Sequence, residues 1–397
     1  MNPAVLAIDG GNPVRARLLP YGHQLIGEED IAAVTRVLRS DWLTTGPAIA
    51  LFERDFAAAV GGAHAVAVSS GTAALHAAAH AVGIGPGDEV IVPALTFVAS
   101  ANCVRYMGGT VVFADVRPDT LTVDPSAVRA LVTPRTKAIL GVDFTGQPCD
   151  IDELAGLAHD RAAFFIEDAA HAVGATYRSG RVGALADVSI FSLHPVKQLT
   201  TGEGGVALTE DPLLAKRMTT FRNHGITTDA HQREATGSWS YDMVELGYNY
   251  RLTDIQAALG SAQIPRLGGW LERRRAIALR YMRELLDVPE LELPVLLPDR
   301  ASGWHLFIVR LNLDRLRVDR ATVFRALRAE NIGVNVHYIP VPWHTYYQRL
   351  GYVKGGWPVA EDAYERMVTL PLWPGMSDDD VADVVLAVRK VCGAYRR

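Results

Sequence analysis

Three short stretches of the chain hold residue types that could do chemistry together. Ser69-Ser70-Gly71-Thr72 follows the apolar run AVAVS and opens a helical pattern. Its hydroxyls and unpaired backbone N–H groups could receive an anion at the positive end of that helix, although serine and threonine there also serve as a plain N-cap. Glu167-Asp168 ends the apolar run AFFI, where a parallel sheet sets residues in the crevice outside its carboxyl edge; strand-end carboxylates also cap helices. Lys197 lies in FSLHPVKQLTTGEGG, residues 191–205, among hydroxyls and glycines, a setting in which a lone lysine is ordinarily solvated. An anion cradle, an acid able to pair with a ring nitrogen and a lysine able to form a Schiff base are together what pyridoxal 5'-phosphate (PLP) requires of a protein.

Competing signatures fail on spacing. Gly83, Gly85 and Gly87 form GxGxG leading into a strand, whereas a dinucleotide fingerprint is GxGxxG opening a helix. The sequence contains no GxxxxGK[ST], HExxH or GxSxG, which removes the usual marks of nucleotide hydrolysis, zinc proteolysis and ester hydrolysis. Cys103, Cys149 and Cys392 are an odd number without metal-ligand spacing, so no disulfide framework or metal site is expected. The 39 Lys+Arg against 44 Asp+Glu give a net charge of -5, and the run Arg273-Arg274-Arg275 falls within a helical stretch, so no nucleic-acid partner is expected. The first residues lack the pattern of a signal peptide, and no stretch reaches the ~20 apolar residues of a membrane span. A cytoplasmic, soluble protein is the expectation.

The elements that must position these residues follow from periodicity. Short apolar runs at 65–69, 89–93, 110–115, 137–143, 163–168, 187–193 and 204–209 read as buried strands, and helical patterns at 71–82, 97–107, 124–131 and 151–159 lie between them. That alternation predicts an α/β fold, a mostly parallel sheet flanked by helices. Helical patterns also cover 28–40 and 49–60. From about 253 a long helical stretch, broken near Pro265 and the two glycines that follow, reads as an interdomain connection. Strand-like 304–311, helical 321–330, strand-like 334–339 and a closing helix at 378–391 then predict a smaller C-terminal α+β domain. The expected division is 1–250 and 251–397, the length being roughly that of one large and one small domain.

The segment FSLHPVKQLTTGEGG, with SSGTAAL, TFVASAN, EDAAHAVGA, GYNYRLTDIQAALG and GVNVHYIPV in that order, resembles the DegT/StrS sugar aminotransferases, which are fold-type I PLP enzymes. The resemblance runs from Tyr21 to about residue 385. It implies that Lys197 carries the cofactor covalently and is the acid–base centre, with pyridoxamine phosphate as an intermediate. It further implies that Asp168 pairs with the pyridine nitrogen, and that Gly71, Thr72 and Ser192 hold the phosphate. Asn249 would reach across from a second subunit of a homodimer with shared sites, Phe97 would stack on the ring, and His171 would sit near its 3′ oxygen. Tyr21, His194, Arg222, His337 and Tyr338 are the candidate contacts to a nucleotide-linked sugar.

PYGHQ, GQPCD, HPVK, NHGIT and PVAEDAYERMVTLPL resemble the branch that aminates C4 of UDP-linked 4-keto-6-deoxy-HexNAc sugars, nearest the UDP-4-amino-4,6-dideoxy-N-acetyl-β-L-altrosamine transaminases. L-glutamate is the implied donor and ping-pong kinetics the implied scheme. LAIDGGNPVR instead resembles members that aminate antibiotic sugars or cyclitols, which keeps dTDP-keto sugars and cyclitol ketones open. The related sugar 3-dehydratases carry His at the Schiff-base position, where this chain has Lys197. A non-catalytic protein that kept the fold is the remaining alternative, and the intact lysine, acid and cradle weigh against it.

Overall fold

The computed structural model describes residues 5–228, Arg233 and residues 237–397. After a largely irregular N-terminal segment come α1 (Glu28–Leu38), α2 (Pro47–Val60), β1 (His64–Val68), α3 (Gly71–Ala81), β2 (Glu89–Pro93), α4 (Val98–Tyr106), β3 (Thr110–Ala114), α5 (Pro125–Leu131), β4 (Thr136–Val142), α6 (Ile151–His159) and β5 (Phe164–Asp168). Two short strands, β6 (Thr176–Tyr177) and β7 (Gly180–Arg181), precede β8 (Val188–Ser192), β9 (Gly205–Thr209) and α7 (Pro212–Phe221). The C-terminal part contains α8 (Asp254–Gln263), α9 (Leu267–Glu284), β10 (Leu291–Glu292), β11 (Arg300–Ala301), β12 (Phe307–Leu311), α10 (Arg320–Ala329), α11 (Thr345–Arg349), α12 (Pro358–Arg366), β13 (Met367–Leu370) and α13 (Asp378–Tyr395).

A seven-stranded sheet in the order β1-β9-β8-β5-β4-β2-β3 forms the large layer. The β2–β3, β2–β4, β4–β5 and β5–β8 pairs are parallel, whereas β9 runs antiparallel to both β1 and β8. Helices cover both faces, which is why β2 (EVIVP) is buried along its whole length instead of alternating. The alanine-rich α3 is buried on nearly every side, because methyl side chains let it pack closely against α4, α7 and β9. β4 and β5 deliver Val142 and Asp168 to the carboxyl edge, and β8 delivers Ser192.

The smaller layer is the antiparallel sheet β10-β12-β13. Its core joins Phe307, Val309 and Leu311 of β12 with Val323 and Leu327 of α10, Val384 and Val388 of α13, and Ile277 and Tyr281 of α9. The helical stretch breaks at a 3-10 turn, Ile264–Arg266, around Pro265, as its missing N–H requires; Gly268 and Gly269 lie inside α9. Residues 334–339 do not form the expected strand. They touch the sheet through one bridge, Asn335 to Thr369, because the segment is extended but leaves the sheet edge, carrying His337 and Tyr338 into the cavity described below. Among the described residues no helix is long and apolar enough to cross a membrane.

The N-terminal segment is fastened to the small domain by one buried carboxylate. Glu330, at the end of α10, accepts the Ala7 N–H (2.9 Å), the Val14 N–H (2.9 Å) and the Lys390 ammonium (2.8 Å). Asn331 takes up a left-handed backbone (φ 61°), which its short amide tolerates, and donates to the Arg15 carbonyl. Leu19 N–H reaches Asn331 O, Gly333 N–H reaches Leu19 O, and Leu372 N–H reaches Tyr21 O. We therefore expect Glu330→Ala, which takes the acceptor from two N–H groups and the counter-ion from Lys390, to cost about 3 kcal/mol. It should expose Arg15 and Arg17 to rapid tryptic cleavage; denaturant unfolding and timed proteolysis measure the two effects.

Candidate active site

One cavity of about 650 Å³ opens at the carboxyl edge of the large sheet. It is lined by eleven of the thirteen residues named from the sequence: Tyr21, Gly71, Thr72, Phe97, Asp168, His171, Ser192, His194, Lys197, His337 and Tyr338.

The anion cradle is built by the turn from β1 into α3. Ser70 is the N-cap, its hydroxyl accepting the Ala73 N–H at 3.1 Å. Gly71 packs against Ser192, and a Cβ there would stand 3.0 Å from the Ser192 Cβ. Gly205 of β9 lies beneath the same turn, where a Cβ would come within 2.7 Å of the Gly71 nitrogen. Two glycines thus let the helix start, β8 and β9 converge, leaving hydroxyls and free N–H groups facing the cavity.

Asp168 ends β5 and is almost fully buried. Burial pushes its carboxyl up, opposed by the Ser100 hydroxyl on Oδ2 (2.7 Å), the Ala170 N–H on Oδ1 (3.2 Å) and the charge of Lys197. Thr96 shares a hydrogen bond with Ser100 (2.9 Å) and so fixes its hydroxyl. Lys197 follows β8 in a turn closed by its own N–H on the His194 carbonyl (3.0 Å). Burial lowers its amine to about 7; Asp168 pulls the other way, and Arg274 adds to the lowering. An amine so perturbed is available as a neutral nucleophile near neutral pH.

Aromatic and imidazole rings form the rest of the wall. The exposed ring of Phe97, ahead of α4, meets Tyr338 at 5.6 Å between centroids. The Tyr338 hydroxyl pairs with His171 Nε2 at 3.2 Å. His337 is held by Thr369 Oγ1 at 2.9 Å and lies 5.4 Å from the Tyr21 ring. Burial keeps His171 well below its ordinary range and lowers His337 to about 4, the Lys197 charge acting in the same direction. Both of these imidazoles are therefore neutral at pH 7.

Two residues named from the sequence lie elsewhere. The Arg222 guanidinium is engaged by Glu53 and by the Ala67 carbonyl (2.6 Å), because Arg222 ends α7 on the side facing α2 and β1. Asn249 is exposed and bridges to Asn223, outside the cavity formed by this chain. Conversely, the sequence reading passed over Thr96, Ser100, Glu203 and His305. Thr96 and Ser100 lie within TFVASAN and Glu203 within FSLHPVKQLTTGEGG, but nothing in their type marked them. His305 arrives from the small domain, its ring 4.4 Å from His171, and its carbonyl accepts from the buried Arg274.

The donor set fits PLP: a cradle for a phosphate, a buried carboxylate for a ring nitrogen, and in the same cavity an amine able to bind the aldehyde carbon. Comparison with known proteins agrees. The DegT/DnrJ/EryC1/StrS aminotransferase family matches residues 24–389. The chain is 45% identical to the spore coat polysaccharide biosynthesis protein SpsC of Bacillus subtilis, covering 95% of this chain and 98% of that one. Its structure is similar to Spr1654 from Streptococcus pneumoniae in its PLP form (32% identity, TM-score 0.89, 95% and 99% covered). It is also similar to Helicobacter pylori PseC, an aminotransferase involved in pseudoaminic acid biosynthesis (30% identity, TM-score 0.89, 96% and 100% covered). The chain belongs to the DegT/DnrJ/EryC1/StrS aminotransferase family and is a PLP-dependent aminotransferase.

Proposed function

We propose that this enzyme moves the amino group of L-glutamate to the C4 ketone of a UDP-linked 4-keto-6-deoxy-HexNAc sugar. The observation that carries the chemistry is the convergence of Lys197, Asp168 and the Ser70-Gly71-Thr72 turn on one cavity. The sugar class rests on the sequence resemblance and on the named relatives. Lys197 would hold PLP covalently, and the bound cofactor would supply an electron sink and a carrier for the amino group.

The chain's own residues have separable tasks. Lys197 Nζ takes the proton from the amine-bearing carbon of the donor and returns one to the acceptor carbon, so one base serves both halves and the scheme is ping-pong. Asp168 keeps a ring nitrogen protonated. Gly71, Thr72 and Ser192 hold the phosphate, Phe97 covers the ring, and His171 faces the 3′ oxygen. Tyr21, His194, His337 and Tyr338 line the side open to the sugar nucleotide. Arg222 is engaged by Glu53, and no arginine is among the described residues lining the cavity, so the diphosphate is expected to draw its cation from a second copy.

That second copy also gives Asn249 its task, reaching the partner's phosphate. Trp239, Tyr241, Met243, Leu246 and Tyr248, just ahead of it, are exposed large hydrophobics, the kind of surface a protein covers by association. The domain division near residue 250 is part of the same reading, since α8 and α9 begin just beyond it and α9 contributes to the small-domain core.

Five expected outcomes test this. The purified holoenzyme should lose its visible cofactor band with L-glutamate and regain it with only one member of a panel of UDP- and dTDP-4-keto sugars and a cyclitol ketone. Regain with the cyclitol or dTDP-sugar alone would replace the proposed acceptor. Lys197→Ala should abolish turnover, and Asp168→Asn should slow the donor half-reaction by ~100-fold or more in single-turnover absorbance. For apoprotein, the rate of cofactor uptake should rise with pH and level off above about 7, where the Lys197 amine is neutral, instead of climbing through the ordinary lysine range. Mixing Lys197→Ala with Asn249→Asp protein should restore activity if each site spans two copies.

A further inference from the structure

Behind Asp168, on the opposite face of its strand, two carboxyl groups meet with no cation between them. Asp143 immediately follows β4 and Glu167 is the penultimate residue of β5; both are fully buried. Asp143 Oδ1 accepts the Cys149 N–H at 2.9 Å. Glu167 Oε2 accepts the Ser189 hydroxyl at 2.6 Å, and the Gly183 N–H faces the same group. The two remaining oxygens, Asp143 Oδ2 and Glu167 Oε1, find no hydrogen-bond partner among the described residues, although the two acids are close enough for each to act on the other and the Cys149 thiol also faces Asp143. No Lys, Arg or His of the described residues forms an ion pair with either. Ionised carboxylates only accept hydrogen bonds, so two of them in contact in a dry interior need an O–H between them.

We propose that Asp143 and Glu167 share one proton retained at neutral pH, and that this O–H···O clamp is a positioning element for Asp168. The clamp joins the end of β4 to the end of β5, where the Asp143 N–H also holds the Asp168 carbonyl at 3.1 Å. Glu167 and Asp168 project to opposite faces, so fixing one fixes the direction of the other toward the cavity. Retaining the proton also limits the negative charge behind Asp168, whose own charge must remain available to the cofactor ring. Burial raises Asp143 well above the carboxylate range, the Glu167 charge acting the same way, and raises Glu167 to about 7 against the opposing hydrogen bonds from Ser189, Asp143 and Gly183. The charged or titratable groups around the pair are Asp168 on β5, with Lys197 beyond it, and Cys149 and Asp150 ahead of α6; burial and the surrounding acids push the Cys149 thiol well up, so it stays neutral.

The sign follows from proton binding. In the unfolded chain both carboxyls ionise in the ordinary range, whereas the folded protein keeps one proton. The clamp's contribution is therefore complete below the ordinary carboxylate range, declines from there as pH rises through the raised folded-state value, about 7 for Glu167, and is lost above it. An amide mimics the protonated partner and cannot be ionised, so Glu167→Gln and Asp143→Asn should preserve the clamp without that decline.

The decisive experiment is infrared spectroscopy of the wild-type holoenzyme at neutral pH, in light and heavy water. A carboxylic-acid C=O band that is absent from both amide variants is the expected result; its absence from the wild type overturns the proposal. The second readout is the rate of cofactor release to a trapping reagent across pH. Wild type should release cofactor faster as pH rises above neutral, both amide variants should remain flat, and Asp143→Ala should release it at least tenfold faster than Asp143→Asn at neutral pH. An unchanged alkaline rise in the amide variants overturns the positioning role. Neither measurement uses a sugar substrate, so failure of the proposed acceptor would leave both results intact.

Discussion

The site depends on one buried carboxylate at the wall of the cavity. Asp168 is almost fully buried, and burial pushes its carboxyl up. What opposes this is a set of aimed groups: the Ser100 hydroxyl, the Ala170 N–H and the Lys197 amine. Each comes from a different part of the chain, so the charge on Asp168 requires α4, the loop after β5 and the turn after β8 to be in register. The parallel pairing of β4, β5 and β8 provides that register, because it delivers successive strand ends to one edge.

Lys197 shows the same balance with the opposite sign. Burial and Arg274 push its amine toward neutrality while Asp168 pulls it back. Acid and amine thus moderate one another, which leaves the amine close enough to neutral to react and the carboxylate charged enough to pair with a ring nitrogen. The buried imidazoles contribute no charge. His171 and His305 are held well below their ordinary range by burial, and so act as polar, uncharged walls.

What the sequence made legible was local. The Ser69–Thr72 turn, the Asp168 strand end and the Lys197 segment could be found because each sits where an apolar run stops, and strand termini are what periodicity marks best. The two-layer architecture followed from the same alternation. Contributions that depend on distant packing left no such trace. Ser100 matters only because α4 sets it against β5, and His305 because the small domain folds over the cavity. Arg222 carried the right chemistry for a diphosphate, but whether Glu53 would reach it is a question of three-dimensional packing. Residues 334–339 alternate like a strand, yet only Asn335 bridges to the sheet, since the side chains that alternate serve the cavity wall instead of a second ladder.

Arg274 shows how the small domain takes part in this balance. Its guanidinium is buried without an ion-pair partner among the described residues, and it donates to the carbonyls of Trp304 (3.1 Å), His305 (3.4 Å) and Leu372 (3.0 Å). Burying a charge without a counter-ion is costly, and carbonyl dipoles offset only part of that cost. Burial accordingly lowers even this guanidinium, to about 10. The same three carbonyls tie α9 to the segments leading into β12 and out of β13, so Arg274 anchors the link that places His305 in the wall. Its charge also reaches Lys197, where it adds a smaller push to the lowering that burial causes, so the helix that joins the two cores acts on the amine of the cavity as well.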